Sequence, residues 1–261
     1  MYTIKAERPM EWETCNVYPL ADWHIGDIHS NMDGINAQIQ RVADDPYGLA
    51  ILNGDLLNTA LKSSVSDIYA EQAKPMEQVL TLIGLLKPIA DKVIGATTGN
   101  HEARIYREDG IDIMRLVCRE LGIEDVYHPD GAIIFLRFGT MQSHHAGEGT
   151  KRRLFTIYFT HGSGGGRKEG AKAIRLADMA ATVDADAYVH SHSHLPMIFY
   201  ESYYRTNPSN SSVQEVEKLF VNTGAELGFG GYGQRQEFKP SARRMPVIHL
   251  NARSGKATST L

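Results

Sequence analysis

The sequence predicts an α/β fold in a single domain covering residues 1–261, and two features of the chain carry this prediction. In the first two thirds, short apolar runs alternate with stretches whose apolar residues recur at the period of a helix, which is typical of βαβ units. The last third is richer in extended apolar runs, and no stretch has the composition of an interdomain linker.

Three strands and three helices are predicted in the first half of the chain. Their predicted bounds are strand 16–21, helix 34–43, strand 48–53, helix 65–90, strand 92–96 and helix 111–121. The strands are short apolar runs that end just before polar residues, whereas the helices have apolar residues spaced along one face. Pro75 and Pro88 are expected to limit or kink the long helix, because proline cannot donate a helical hydrogen bond.

Six further strands and one helix are predicted in the second half. Their predicted bounds are strand 132–138, strand 154–160, helix 168–181, strand 187–190, strand 197–204, strand 216–221 and strand 245–250. Polar or glycine-rich turns separate several of these runs. Together with the first half, they predict an α/β domain with a large proportion of β-structure.

Composition excludes several classes of protein. The net charge of -4 argues against a generally basic protein that coats nucleic acid. The two cysteines, Cys15 and Cys118, form no CxxC pair, so neither a disulfide framework nor a zinc finger is predicted. No apolar run approaches the roughly 18 residues of a membrane span. The polar N-terminus lacks the pattern of a secretory signal. These observations predict a cytoplasmic protein without membrane contact.

Five polar segments lie at or just beyond predicted strands, where open α/β sheets bind their ligands. They are Asp22-Trp23-His24, Asn53-Gly54-Asp55, Gly99-Asn100-His101-Glu102, Thr160-His161-Gly162 and Ser191-His192-Ser193-His194. In an extended backbone, alternate residues point the same way, which predicts that Asp22 and His24, and likewise His192 and His194, act together. Each segment alone is more common as an ordinary turn or ion pair, but five at strand ends predict a metal site. Two Asp, one Asn and four His supply two transition metals that share a carboxylate, and the absence of thiolate ligands favours Mn, Fe or Zn.

The ordered series of these motifs, from residue 22 to residue 194, resembles the calcineurin-like metallophosphoesterase superfamily. Within this superfamily, the motifs are similar to those of stand-alone phosphodiesterases and of the DNA-repair exonuclease-like branch. The resemblance implies a four-layer α/β sandwich with two central mixed β-sheets, and two divalent ions, with Mn preferred. It assigns one ion to Asp22, His24, Asp55 and His194, and the other to Asp55, Asn100, His161 and His192. His101 matches the catalytic histidine of the superfamily, expected to protonate the leaving oxygen or stabilise its charge during attack by a metal-bridging hydroxide.

The second motif departs from the serine/threonine protein phosphatases of this superfamily. Asn58 replaces a carboxylate that would pair with His101, and Thr59 replaces a phosphate-binding arginine. The expected activity is therefore hydrolysis of phosphodiester bonds, with DNA or RNA as candidate substrates and without an obligate protein partner. A phosphomonoesterase for a small metabolite or nucleotide and a non-catalytic metal-binding scaffold remain the alternatives.

Four basic residues are predicted to contact substrate phosphate. Arg104 lies three residues after His101, and the others follow His161 in a glycine-rich segment. Glycines leave room for a polyanion, and arginine suits bidentate phosphate recognition. The predicted substrate-binding residues are Arg104, Arg167, Lys168 and Lys172. The alternatives are a surface ion pair for Arg104 and a solvated connection for the glycine-rich segment.

Overall fold

Two mixed β-sheets and five α-helices make up the part of the chain that this computed structural model describes, namely residues 1–9, 11–62, 64, 68–139, 153–164, 166, 168–230, 234 and 239–261. The predicted α/β fold with two central mixed sheets is therefore confirmed. Within the described residues, no helix combines the length and the apolar composition needed to cross a membrane.

The smaller sheet has five strands in the order β11-β10-β2-β3-β4. In chain order these strands are β2 (Thr14–Leu20), β3 (Gly48–Asn53), β4 (Val93–Thr97), β10 (Val247–Asn251) and β11 (Lys256–Thr260). The first three are parallel to one another, whereas β10 and β11 complete the sheet in antiparallel pairs. Every residue of β3 is buried, as expected for a parallel strand covered on both faces.

The larger sheet has six strands in the order β1-β5-β6-β7-β9-β8. They are β1 (Thr3–Arg8), β5 (Ala132–Phe138), β6 (Arg153–Phe159), β7 (Ala187–His190), β8 (Met197–Asn207) and β9 (Ser212–Asn222). Burial alternates along β5, so one face of this strand packs inward. The last two strands form a long antiparallel hairpin in which β8 lies at the edge.

Helices cover the outer faces of both sheets. They are α1 (Met32–Asp44), α2 (Pro75–Leu86), α3 (Glu102–Asp109), α4 (Ile113–Glu120) and α5 (Glu169–Thr182), and three 3-10 helices lie at Ile68–Ala70, Lys87–Lys92 and Glu124–Val126. One apolar core joins α1, α2 and α4 to the smaller sheet, a second lies between the sheets, and a third lies under α5. The order is therefore helices, five-stranded sheet, six-stranded sheet, helix.

The prediction of a helix over 65–90 was wrong in extent. The helix begins at Pro75, because proline suits the first turn, where its missing N–H costs nothing. It gives way to a 3-10 helix at Lys87, because Pro88 has no N–H for the helical pattern. Residues 65–67 lie outside the described part of the chain. Strands β1 and β11 and helix α3 were not predicted.

Candidate metal centre

All five polar segments follow strands whose carboxyl ends meet at one edge of the two sheets. Backbone hydrogen bonds join the loops there: the N–H of Asp22 donates to Gly54 O at 3.1 Å, and that of His24 donates to Asp55 O at 3.0 Å. The N–H of Ser191 donates to His161 O at 3.1 Å. The loops are thus held to one another as well as to their strands.

A first group of candidate ligand atoms comes from buried Asp22 and His24 and from partly exposed His194. The Nε2 atoms of His24 and His194 are 3.1 Å apart, and Asp22 Oδ1 is 3.4 Å from His194 Nε2. Asp22 Oδ1 is buried without a hydrogen-bond partner among the described residues. Two nitrogens that each lie about 2.0–2.1 Å from one ion are separated by roughly this distance. The three residues therefore fit a divalent ion, which would also satisfy the unpaired carboxylate oxygen.

A second group comes from Asp55, His161 and His192, with Asn100 beside them. His161 Nε2 lies 3.2 Å from Asp55 Oδ2 and 3.3 Å from Asn100 Oδ1. His161 Nδ1 donates to the backbone carbonyl of Asn53 at 2.8 Å, and because a carbonyl only accepts, the proton of a neutral ring lies on Nδ1. Although burial opposes it, the charge of Asp55 raises the pKa of His161 to about 10, so an ion that binds at Nε2, the atom facing Asp55 and Asn100, would displace a proton.

Asp55 is the residue that connects the two groups. Its carboxylate lies within 4.8 Å of ligand atoms of His24 and His101 on one side and of His161 and His192 on the other. Carboxylate, imidazole and amide oxygen donors without a thiolate suit Mn, Fe or Zn. The residues present therefore fit two divalent ions that share one carboxylate.

The local backbone differs from the extended geometry expected for the Asp-x-His and His-x-His segments. Asp22, His24, His192 and His194 have φ angles of 55°, 49°, 64° and 53°, in the left-handed region. Alternate residues still act together, but the side chains are aimed by left-handed turns rather than by a pleated strand. Such conformations cost of order 1–3 kcal/mol each and are concentrated at functional sites.

Buried polar groups support the candidate ligands from behind. Thr223 Oγ1 donates to Asp22 Oδ2 at 3.1 Å, and the N–H of His192 approaches the same oxygen at 3.2 Å. The side-chain amide of Asn53 donates to Ser191 Oγ at 2.7 Å, which joins two of the loops. Partners of this kind fix the orientation of metal ligands.

His101 lies beside both groups and is more accessible than most of the candidate ligands. Its side chain is 15% exposed, and its Nε2 is 4.0 Å from Asp55 Oδ2. Its Nδ1 donates at 3.0 Å to the backbone carbonyl of Asn58, while the side-chain amide of Asn58 donates to Glu71. The side chain that replaces the phosphatase carboxylate therefore does not face His101, and a neutral carbonyl takes the orienting role.

Glu102 is a buried residue of this site to which the sequence analysis assigned no role. Its carboxylate accepts the backbone N–H groups of Asp55 at 3.0 Å, Leu57 at 2.9 Å and Gly99 at 2.9 Å. One side chain thereby joins the loop of Asp55 to the loop of Asn100. The sequence signal was the acidic residue directly after His101, in the motif itself.

Burial and the charges of neighbouring side chains shift the pKa values of the ionisable residues in this cluster. Although burial opposes ionisation, the charges of His161 and His101 hold the pKa of Asp55 well below its usual range. Burial, and then the charge of Asp55, raises the pKa of Glu102 to about 7. Burial, and then the charge of His161, lowers the pKa of His192 to about 4. Asp55 is therefore an anion and His192 a neutral imidazole. These are the protonation states in which the two side chains bind metals.

The predicted substrate-binding residues lie at different places around the centre. Arg104 is half-buried on α3 and its Nη1 lies 3.4 Å from Asn58 O. Lys168 is exposed at the N-cap of α5. Lys172 donates from Nζ to Ser193 O at 2.8 Å, so it supports the loop of His192 and His194. Arg167 lies outside the described residues.

The chain resembles one protein family and several solved structures. The family model for calcineurin-like phosphoesterases matches residues 23–196, whereas no curated protein matches the sequence. A metallophosphoesterase from Sphaerobacter thermophilus is 14% identical, with 94% of this chain and 87% of that chain covered at a TM-score of 0.42. A Vps29 from Entamoeba histolytica complexed with Zn²⁺ is 10% identical, with 94% and 97% covered at a TM-score of 0.40. A conserved uncharacterised protein of Streptococcus pneumoniae, called a predicted phosphoesterase, is 12% identical, with 95% and 97% covered at a TM-score of 0.35.

Proposed function

The chain belongs to the calcineurin-like phosphoesterase family, and we propose that it is an enzyme that hydrolyses phosphodiester bonds with two divalent metal ions, Mn²⁺ being the first choice. The observation that carries the proposal is the position of Asp55 between two groups of candidate ligands, with His101 beside them. Asp22, His24, Asp55 and His194 would hold one ion, and Asp55, Asn100, His161 and His192 the other. Bound ions would polarise the phosphoryl oxygens and activate water.

His101 is the proposed catalytic residue. The hydrogen bond from its Nδ1 to Asn58 O leaves Nε2 as the atom that faces the ligand groups. In its imidazolium form, which carries a proton on each nitrogen, it would donate the Nε2 proton to the leaving oxygen or stabilise the charge on that oxygen. A positioned general acid contributes about 10²–10⁴-fold to rate.

A diester fits the charge of the site better than a monoester. A phosphomonoester carries up to two negative charges at neutral pH, whereas a diester carries one. Thr59 stands where protein phosphatases of this family have a phosphate-binding arginine, and its hydroxyl is used to donate to His101 O at 2.7 Å. Arg104 on α3, three residues after His101, is then the candidate arginine to supply that charge. Nucleic acid is the diester predicted from the sequence, with Arg104 and Lys168 as candidate phosphate contacts.

A panel of three substrates tests the proposal. Metal-loaded protein is assayed with bis-p-nitrophenyl phosphate, p-nitrophenyl phosphate and single-stranded DNA, and we expect a higher kcat/KM for the diester than for the monoester. Preference for the monoester would support the phosphomonoesterase alternative. Two bound metals without turnover of any substrate would support a non-catalytic scaffold. Cleavage of DNA decides whether nucleic acid is a substrate.

A further inference from the structure

A cleft of about 1280 Å³ opens directly beside two candidate ligands, Asn100 and His161. Residues of α3, α4 and α5 line it, together with Tyr158 near the end of β6 and Thr160 just after that strand. Its volume exceeds the roughly 300–1000 Å³ typical of small-molecule sites, so it has room for a group much larger than a phosphate. Its position places that group next to a phosphate held at the candidate metal centre.

The charged side chains that line this cleft are mostly acidic. Arg115 forms an ion pair with Glu124 at 2.7 Å, which cancels both charges. The remaining exposed or partly exposed carboxylates are Asp112, Asp130 and Asp178. Against them the described lining has one other arginine, Arg175, which donates to Ser163 O at 2.7 Å. The excess of carboxylates repels an additional phosphate and attracts a cation.

Aromatic faces accompany these carboxylates. Tyr106 on α3 is 60% exposed and lines the cleft, and Tyr2 stacks on His128 with ring centroids 4.9 Å apart. Tyrosine faces bind neutral rings by stacking, and they bind organic cations through the negative face of the ring. Aromatic rings beside carboxylates therefore suit a cationic or neutral group.

We infer that this cleft binds an ester group of the substrate and selects against negative charge, with a cationic alcohol preferred over a neutral nucleoside and both preferred over a phosphorylated group. This inference rests on the proposed phosphodiesterase function and deepens it. It implies that a nucleic acid strand does not continue through the cleft, because each further phosphate would face the three aspartates.

Three chromogenic diesters with the same leaving group test the inference on metal-loaded protein. They are p-nitrophenyl phosphorylcholine, thymidine 5′-(p-nitrophenyl phosphate) and the latter compound with a 3′-phosphate. The two thymidine esters differ only in the added phosphate. We expect kcat/KM to fall in the order given, with the 3′-phosphate costing about three- to tenfold at 10 mM ionic strength and less at 0.5 M salt, where the Debye length is short.

Variants locate the effect in the cleft. Replacing both aspartates in Asp130→Asn/Asp178→Asn should remove most of the difference between the two thymidine esters, whereas Glu215→Gln, on an exposed position of β9, should leave it unchanged. Tyr106→Leu should lower the preference for the choline ester, whereas Tyr106→Phe, which keeps an aromatic ring, should retain that preference. Calorimetric titration with phosphocholine and with thymidine 3′,5′-bisphosphate gives the same comparison without turnover.

The inference is overturned if the 3′-phosphate leaves kcat/KM unchanged or raises it, or if the double variant retains the full difference between the thymidine esters. Failure of the parent function looks different, because none of the diesters would then be hydrolysed by protein that holds both metals. In that case the calorimetric comparison still decides whether the cleft prefers the cationic ligand.

Discussion

Replacing Glu102 by glutamine measures how strongly one buried carboxylate joins the loops of Asp55 and Asn100. Oε2 accepts the N–H groups of Asp55 and Gly99, and Oε1 accepts the N–H of Leu57, on a residue that is 1% exposed. Glutamine has one acceptor oxygen, so at least one N–H must face an amide N–H instead. A hydrogen bond to a charged group contributes about 1.5–3 kcal/mol, and an unsatisfied buried donor costs about 1–3 kcal/mol. Burial and the charge of Asp55 disfavour the Glu102 anion, which offsets part of this loss, so we expect Glu102→Gln to lower the free energy of unfolding by about 1–3 kcal/mol.

The assay is urea unfolding of chelator-treated protein, so that metal binding does not contribute. It is made at pH 8, because burial and Asp55 raise the pKa of Glu102 to about 7 and the carboxylate must be ionised. Glu120→Gln, at an exposed position near the end of α4, is the matched control and should change stability by no more than about 0.5 kcal/mol. Equal stability of the two variants would refute the argument that Glu102 holds the two loops together.

The other predictions concern the metals and His101. Asp55→Ala should lower metal content at both positions, whereas His24→Ala should empty mainly one; full two-metal retention in Asp55→Ala, measured by elemental analysis, would refute the bridging role. His101→Asn should retain both metals and lose about 10²–10⁴-fold in rate, with a smaller loss for leaving groups of low pKa; an equal loss across a leaving-group series would indicate phosphate positioning instead. Thr223→Val removes the hydroxyl that donates to Asp22, so metal affinity measured by competition with a chelator should fall about 10–100-fold; unchanged affinity would show that this contact is dispensable.

The sequence predicted the central elements because their apolar residues are concentrated. Strand β3 is buried at every position, so its residues form an unbroken apolar run. Edge strand β1 has only two fully buried positions, Ile4 and Ala6, between exposed or half-exposed polar side chains. A strand that buries one face at the edge of a sheet has a weak period-2 signal, and for this reason β1 was missed.

Residue identity predicted which side chains gather at the strand ends, but it did not predict how they are held. The role of Asn58 illustrates the limit. Sequence reasoning considered its side chain as the partner of His101, whereas its backbone carbonyl accepts from His101 Nδ1. Every residue has such a carbonyl, so no residue type reports this contact. Residue type likewise does not report the hydrogen bonds that Glu102 accepts from backbone N–H groups.

The backbone of the candidate ligands explains why the surrounding loops are tied so closely together. Asp55, like the four other ligands in left-handed turns, has a positive φ, here 51°, which an unsupported aspartate rarely adopts. Its main-chain N–H is held by Glu102 and its carbonyl by the N–H of His24. A Cβ on Gly99 would lie 2.2 Å from Asp55 N, so only glycine allows the two loops to approach. Metal-ligating side chains are therefore aimed by a strained backbone, and the strain is maintained by Glu102, by loop-to-loop hydrogen bonds and by a glycine contact. It follows that substitutions at these supporting positions should disturb the candidate metal centre as surely as substitutions of the ligands.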